Sequence, residues 1–154
     1  MNSILLYTFL LSLSPFGEAR AGIPYAVING IDIIPAFIIG LISNLLVFPI
    51  LTRLIIWSNS LFWPHRPYKK SVVWLSRSAK KGAGNNISKY GFWGLMIFVM
   101  IPLPGTGAYM GTIAASVFKI ERRKAFWAIS IGVFISCIIM AVGAQLGKMG
   151  MQAL

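Results

Sequence analysis

Acidic residues are scarce in this chain: 3 Asp and Glu stand against 14 Lys and Arg in 154 residues, a net charge of +11. The three acids, Glu18, Asp32 and Glu121, are far apart in sequence and form no carboxylate pair at a useful spacing. Histidine and cysteine are as rare. His65, the single histidine, sits beside Pro64 in a basic stretch and reads as a solvated loop residue. Cys137, the single cysteine, excludes an internal disulfide and reads as a small buried residue in the apolar run Ile135–Met140. There is no Ser-His-Asp set, no metal-ligand cluster and no Walker pattern, so neither an enzyme nor a cofactor is expected. Charge is low overall, 11% of residues against about 25% in a soluble domain.

What fills the chain instead is apolar sequence, 57% of residues. This composition reads as an integral membrane protein, one small membrane domain over residues 1–154. In a soluble protein the excess of Lys and Arg would point to nucleic acid, but no binding module is recognisable. Basic residues collect on the cytoplasmic side of membrane proteins, and that is the reading adopted here.

Two segments, Ile33 to Trp57 and Ala125 to Leu146, exceed the roughly 20 apolar residues that span a bilayer. Two other apolar regions are cut short. Met1 to Leu13 meets a break over Ser14–Arg20, and the short run Ala21 to Ile31 follows. Tyr90 to Ile101 meets Pro102-Leu-Pro-Gly-Thr-Gly107 and returns from Ala108 to Phe118. A helix does not pass through two prolines and two glycines unbroken. Each arm covers about half a bilayer at 1.5 Å per residue. Each region therefore reads as a re-entrant helical hairpin. The apolar start and Ala19-Arg-Ala21 look superficially like a secretory signal, but Met1-Asn-Ser carries no positive side chain, so the segment is kept in the mature protein.

The halves match at a constant offset of 89 residues: Pro15 with Pro104, Gly22 with Gly111, Asp32 with Glu121, Ala36-Phe37 with Ala125-Phe126. The first repeat covers 1–57 and the second 90–147, around a basic loop over 58–89. If the second hairpin is re-entrant, every Lys and Arg except Arg20 and Lys148 lies on one side. A full crossing there would split the basic clusters and break the positive-inside rule. The expected fold is all-α, two transmembrane helices plus two re-entrant hairpins in an inverted repeat. The basic loop is cytoplasmic and both termini are outside. An interfacial helix is expected in the loop, with Val72, Leu75 and Ala79 on one face and Trp74 as an anchor. Orientation, and secondarily attraction to anionic lipid, accounts for the loop's charge.

Candidate site residues gather at the breaks. Glu18 and Arg20 are ionisable groups in apolar surroundings, expensive at membrane depth and usually functional there. Pro102, Pro104, Gly105, Thr106 and Gly107 form the opposite tip, whose glycines bring backbone amides close to a ligand. The tips are expected to meet near the midplane, with Glu18 and Arg20 sharing a site and partnered by the other tip's freed backbone groups. Asp32 and Glu121 read as helix caps. Gly107-x-x-x-Gly111 and Gly143-x-x-x-Gly147 read as helix-packing faces, and a homo-oligomer is expected.

At Glu18-Ala-Arg20-Ala-Gly22-Ile-Pro24 and Tyr90-Gly-Phe-Trp-Gly94…Phe98-Val-Met-Ile-Pro-Leu-Pro-Gly-Thr-Gly-Ala-Tyr-Met-Gly111, the chain resembles the putative small multidrug export proteins. The resemblance runs from about Glu18 to Gly143. It implies a small prokaryotic cell-membrane protein that exports small compounds. The paired hairpins also look like the DedA-type (VTT) membrane proteins, which are similar to lipid-carrier flippases, although the DedA-type arginine motif is not recognisable here. Three functions follow: a secondary exporter of small amphipathic or cationic compounds, leaning on Glu18; a flippase or scramblase for an anionic lipid or polyprenyl-phosphate carrier, leaning on Arg20 and the Gly105–Gly107 amides; or a non-transporting scaffold, indifferent to both charges.

Overall fold

A computed structural model describes residues 2–62, 70, 73–74, 77, 91–103 and 106–152 of the chain. Six helices are formed among them: α1 (Asn2–Leu13), α2 (Glu18–Ile28), α3 (Ile33–Phe62), α4 (Phe92–Met100), α5 (Ala108–Val117) and α6 (Arg122–Gln152). No strand occurs among the described residues. α3 and α6 contain the segments long and apolar enough to cross a membrane, Ile33–Trp57 and Arg122–Gly150. The second begins three residues earlier than the apolar pattern predicts, because Arg122-Arg-Lys124 already turns helically.

Helix boundaries recur at the offset of 89. α2 ends at Ile28 and α5 at Val117; α3 starts at Ile33 and α6 at Arg122. The turns between them share their hydrogen bonds. Asn29 N donates to Tyr25 O, Gly30 N to Val27 O and Ile31 N to Ala26 O. Phe118 N donates to Ala114 O, Lys119 N to Ser116 O and Ile120 N to Ala115 O, the same three bonds 89 residues on. The second residue after each helix is left-handed, Gly30 with φ 88° and Lys119 with φ 54°. Packing recurs too: α1 and α2 pack on each other and on α3, α4 and α5 on each other and on α6, while α2 crosses to α6 and α5 to α3.

Small residues allow this packing. A Cβ on Gly22 would strike Ser12 Oγ of α1, one on Gly40 the Ile23 side chain, one on Gly111 Val99, and one on Gly132 the Met96 carbonyl. The core behind them holds Ile23, Val27, Val47, Leu95, Val99, Ile129 and Val133. By contrast Gly143 and Gly147 meet nothing among the described residues, whereas Gly107 and Gly111 abut neighbours.

The first break is shorter than the sequence predicts. It covers Ser14–Gly17, and Glu18, Ala19 and Arg20 already form the first turn of α2. An acid at a helix N-terminus is favoured by the helix dipole, which lets the helix start there despite the flanking breakers. Asp32 and Glu121 directly precede α3 and α6, and their carbonyls accept from Ala36 N and Ala125 N. The Glu121 carboxylate itself pairs with Lys124 at 3.2 Å in the open. Val72, Leu75 and Ala79 of the expected interfacial helix lie outside the described residues; Trp74 is helical and 68% exposed.

Candidate functional site at the two chain breaks

Helix α4 ends because Pro102 has no N–H to give the carbonyl four residues back. Its last carbonyls need other donors. Arg20, reaching over from α2, supplies them. One terminal nitrogen donates to Leu103 O, the other to Ile101 O at 3.1 Å and Val99 O at 3.4 Å. A planar fork, with its two terminal nitrogens held apart, suits carbonyls spread along the break better than the single nitrogen of an ammonium. The cation also sits at the C-terminal, negative end of α4.

Two residues earlier, Glu18 serves the other side of the same break. Its Oε1 accepts from Tyr109 N, at the start of α5, at 3.3 Å. An anion at the positive end of a helix is again the favoured arrangement. Its Oε2 lies 3.8 Å from Arg20 Nε. The pair thus brackets the second break, base on the helix that enters it and acid on the helix that leaves. Both are withdrawn from solvent, with side chains 9% and 15% exposed for Glu18 and Arg20. Glu18 holds φ 51°, a left-handed conformation that costs a side-chain-bearing residue about 1–2 kcal/mol. Its carboxylate fits because position 107 is glycine: a Cβ on Gly107 would land inside that carboxylate.

The first break is held in kind. Tyr109 OH donates to Leu13 O at the end of α1. Asn44, buried in the middle of α3, joins the two sides when its amide is oriented to its neighbours: its nitrogen donates to Ser12 O at 3.1 Å and its oxygen accepts from Ala19 N at 3.3 Å. Thr106 Oγ1 lies 2.7 Å from Ile101 O and 2.8 Å from Leu103 O, so the hydroxyl bonds within its own tip. Beside these groups opens a cavity of about 260 Å³, lined by Phe16, Glu18, Arg20, Pro102, Gly107 and Tyr109 among others.

Of the residues singled out in the sequence, Glu18, Arg20, Pro102 and Gly107 come together at this cavity, and Thr106 lies in the same tip. Pro104 and Gly105 lie outside the described residues. Sequence reasoning missed Tyr109 and Asn44. Both left a signal: Asn44 is a polar residue within an uncharged stretch of a span, and Tyr109 occupies the position that matches Arg20 in the repeat.

The family model described as Putative small multi-drug export protein matches residues 18–139, well over half of the chain. The chain belongs to this family. Its description names an export function, which together with two helices apolar enough to span makes this a membrane protein of transporter type. No curated protein and no solved structure is found to match, and a similarity to DedA-type proteins is not shown. The matched segment opens on Glu18 and takes in both caps of the second break.

Proposed function

We propose that the protein is a small secondary transporter that exports small amphipathic or cationic compounds, with Glu18 as counter-ion and proton carrier. The observation that carries this reading is the buried Glu18 carboxylate at the edge of the cavity. Its contacts, 3.3 Å to Tyr109 N and 3.8 Å to Arg20, are longer than the 2.7–2.9 Å of strong charge-assisted bonds. It is held loosely enough to trade Arg20 for a substrate cation or a proton.

The two helix pairs α1–α2 and α4–α5 act as re-entrant hairpins entering from opposite sides, their tips meeting near the midplane. The recurrence of boundaries, turns and packing at 89 residues supports the repeat, and the positive-inside rule supports its inversion. The chain then sits in a prokaryotic cell membrane with its basic loop cytoplasmic and both termini outside. It works as a homo-oligomer, in which the open glycine face of α6 meets a neighbour.

A flippase for an anionic lipid or polyprenyl-phosphate carrier is less well supported. Its phosphate would have to compete for Arg20 with three carbonyls that the guanidinium already serves. A scaffold gives no account of a strained, buried ion pair beside a cavity. The test is transport in proteoliposomes under a pH gradient, with a panel of lipophilic cations set against a labelled polyprenyl phosphate. Cation movement coupled to protons is expected; movement of the lipid alone would replace this reading with the flippase, and movement of neither would favour the scaffold.

A further inference from the structure

A second cavity, of about 180 Å³, opens between α3 and the turn joining α5 to α6. Its walls divide by chemistry. α3 supplies Phe48, Ile55 and Ile56 with the Thr52 hydroxyl among them, while Lys119 and Arg122 bring two cations from the turn opposite. Thr52 Oγ1 is buried and has no hydrogen-bond partner among the described residues, an unusual state for a hydroxyl. Neither Lys119 nor Arg122 is paired with an acid among the described residues, and Glu121, the acid of this turn, is engaged by Lys124 instead. Lys119 is left-handed, with φ 54°, where the matching turn of the first half uses Gly30. Glycine is the ordinary residue at that position after a helix, so the lysine is kept against a conformational cost.

We propose that this cavity binds the phosphate of an anionic phospholipid, with Lys119 and Arg122 on the phosphate oxygens, Thr52 Oγ1 donating to one of them, and an acyl chain along Ile55 and Ile56. Charge complementarity and the apolar flank together select a lipid over a soluble anion, and basic pockets between membrane helices commonly take such headgroups. The site shares no lining residue with the cavity at Glu18, so it stands or falls apart from the transport reading.

The test uses the full chain in detergent and native mass spectrometry with phosphatidylglycerol, phosphatidylcholine of the same chains, and glycerol phosphate. Retention of phosphatidylglycerol alone is expected. Lys119→Gly relaxes the turn, so its loss of binding cannot be put down to misfolding. It and Arg122→Ala should each lower retention about tenfold or more, against about fivefold or less for the exposed surface control Arg77→Ala. Thr52→Val changes no charge and is expected to lower retention as well. Unchanged binding by Thr52→Val, with all three basic variants alike, would mean general surface attraction and overturn the site. Equal retention of glycerol phosphate would overturn the lipid.

Discussion

Arg20 and Tyr109 hold the same place in the two halves of the chain, 89 residues apart, and each donates to carbonyls at the other half's break. Arg20 takes Val99, Ile101 and Leu103; Tyr109 takes Leu13. The pair that precedes them by two residues, Glu18 and Gly107, also matches in the repeat, and here the matching residues touch each other. Contact between matching residues is what the proposed inverted repeat would produce. Each break is thus held by the opposite half, and a motion of one half against the other must loosen both sets of caps together.

Tyr109→Phe tests that cross-support from its weaker side. It leaves Leu13 O, a half-buried carbonyl, without its donor, a cost of about 1 kcal/mol. A lower melting temperature in detergent is expected, with insertion retained. Arg20→Lys should be worse than its conserved charge implies, since it replaces two separated nitrogens of a planar fork by one nitrogen. A lysine variant as stable as the parent would show that the caps carry no weight.

Two glycines separate a contact from a packing surface. Gly107→Ala puts a methyl group where the Glu18 carboxylate sits and is expected to abolish transport. Gly143→Ala meets nothing among the described residues and should raise helix stability by up to about 1 kcal/mol. If α6 packs on a neighbouring copy through that face, Gly143→Leu with Gly147→Leu shifts crosslinking in native membranes from oligomer to monomer. Unaltered crosslinking by the leucine pair would remove α6 from the interface.

Apolar run lengths and breaker residues made the spans and the second break legible, because a proline ends a helix wherever it falls. The register of 89 was legible from Pro15, Gly22 and Asp32 and their matches, and the turn hydrogen bonds follow it. The start of α2 was not. Glu18 looked like part of the break because a charge among Pro and Gly suits a loop, yet a carboxylate at a helix N-terminus is favourable. Asn44 was passed over because one amide in a long apolar span changes no average; only its position opposite the Ser12–Ala19 break gives it meaning.

Side-specific labelling tests the arrangement in the membrane. Cys137 is buried, 1% exposed, and gives little background. Cysteines at Ser71 and Ser78 are expected to react from the cytoplasm and one at Gln152 from outside. Labelling of position 152 from the cytoplasm would remove the re-entrant second hairpin, since α6 would then end on the side of the basic loop.

The charges at the break decide whether this is a transport site. Glu18→Gln keeps the shape and a side-chain oxygen that accepts from Tyr109 N but removes the charge that a cation or proton would exchange on. Arg20→Ala removes the counter-charge and bares the carbonyls of the second break. Each is expected to abolish transport while the protein still inserts and assembles, with Arg20→Ala the less stable because it also loses the cap. Asp32 and Lys148 line a different cavity, at the turn between α2 and α3, so Asp32→Asn and Lys148→Ala should cost little. The contrast matters because all four changes remove a charge, so a general effect of charge on insertion would touch them alike. Transport at the parent's rate by both Glu18→Gln and Arg20→Ala would leave the pair as a structural clamp on the second break, and the family's export function would have to be sought elsewhere in the chain.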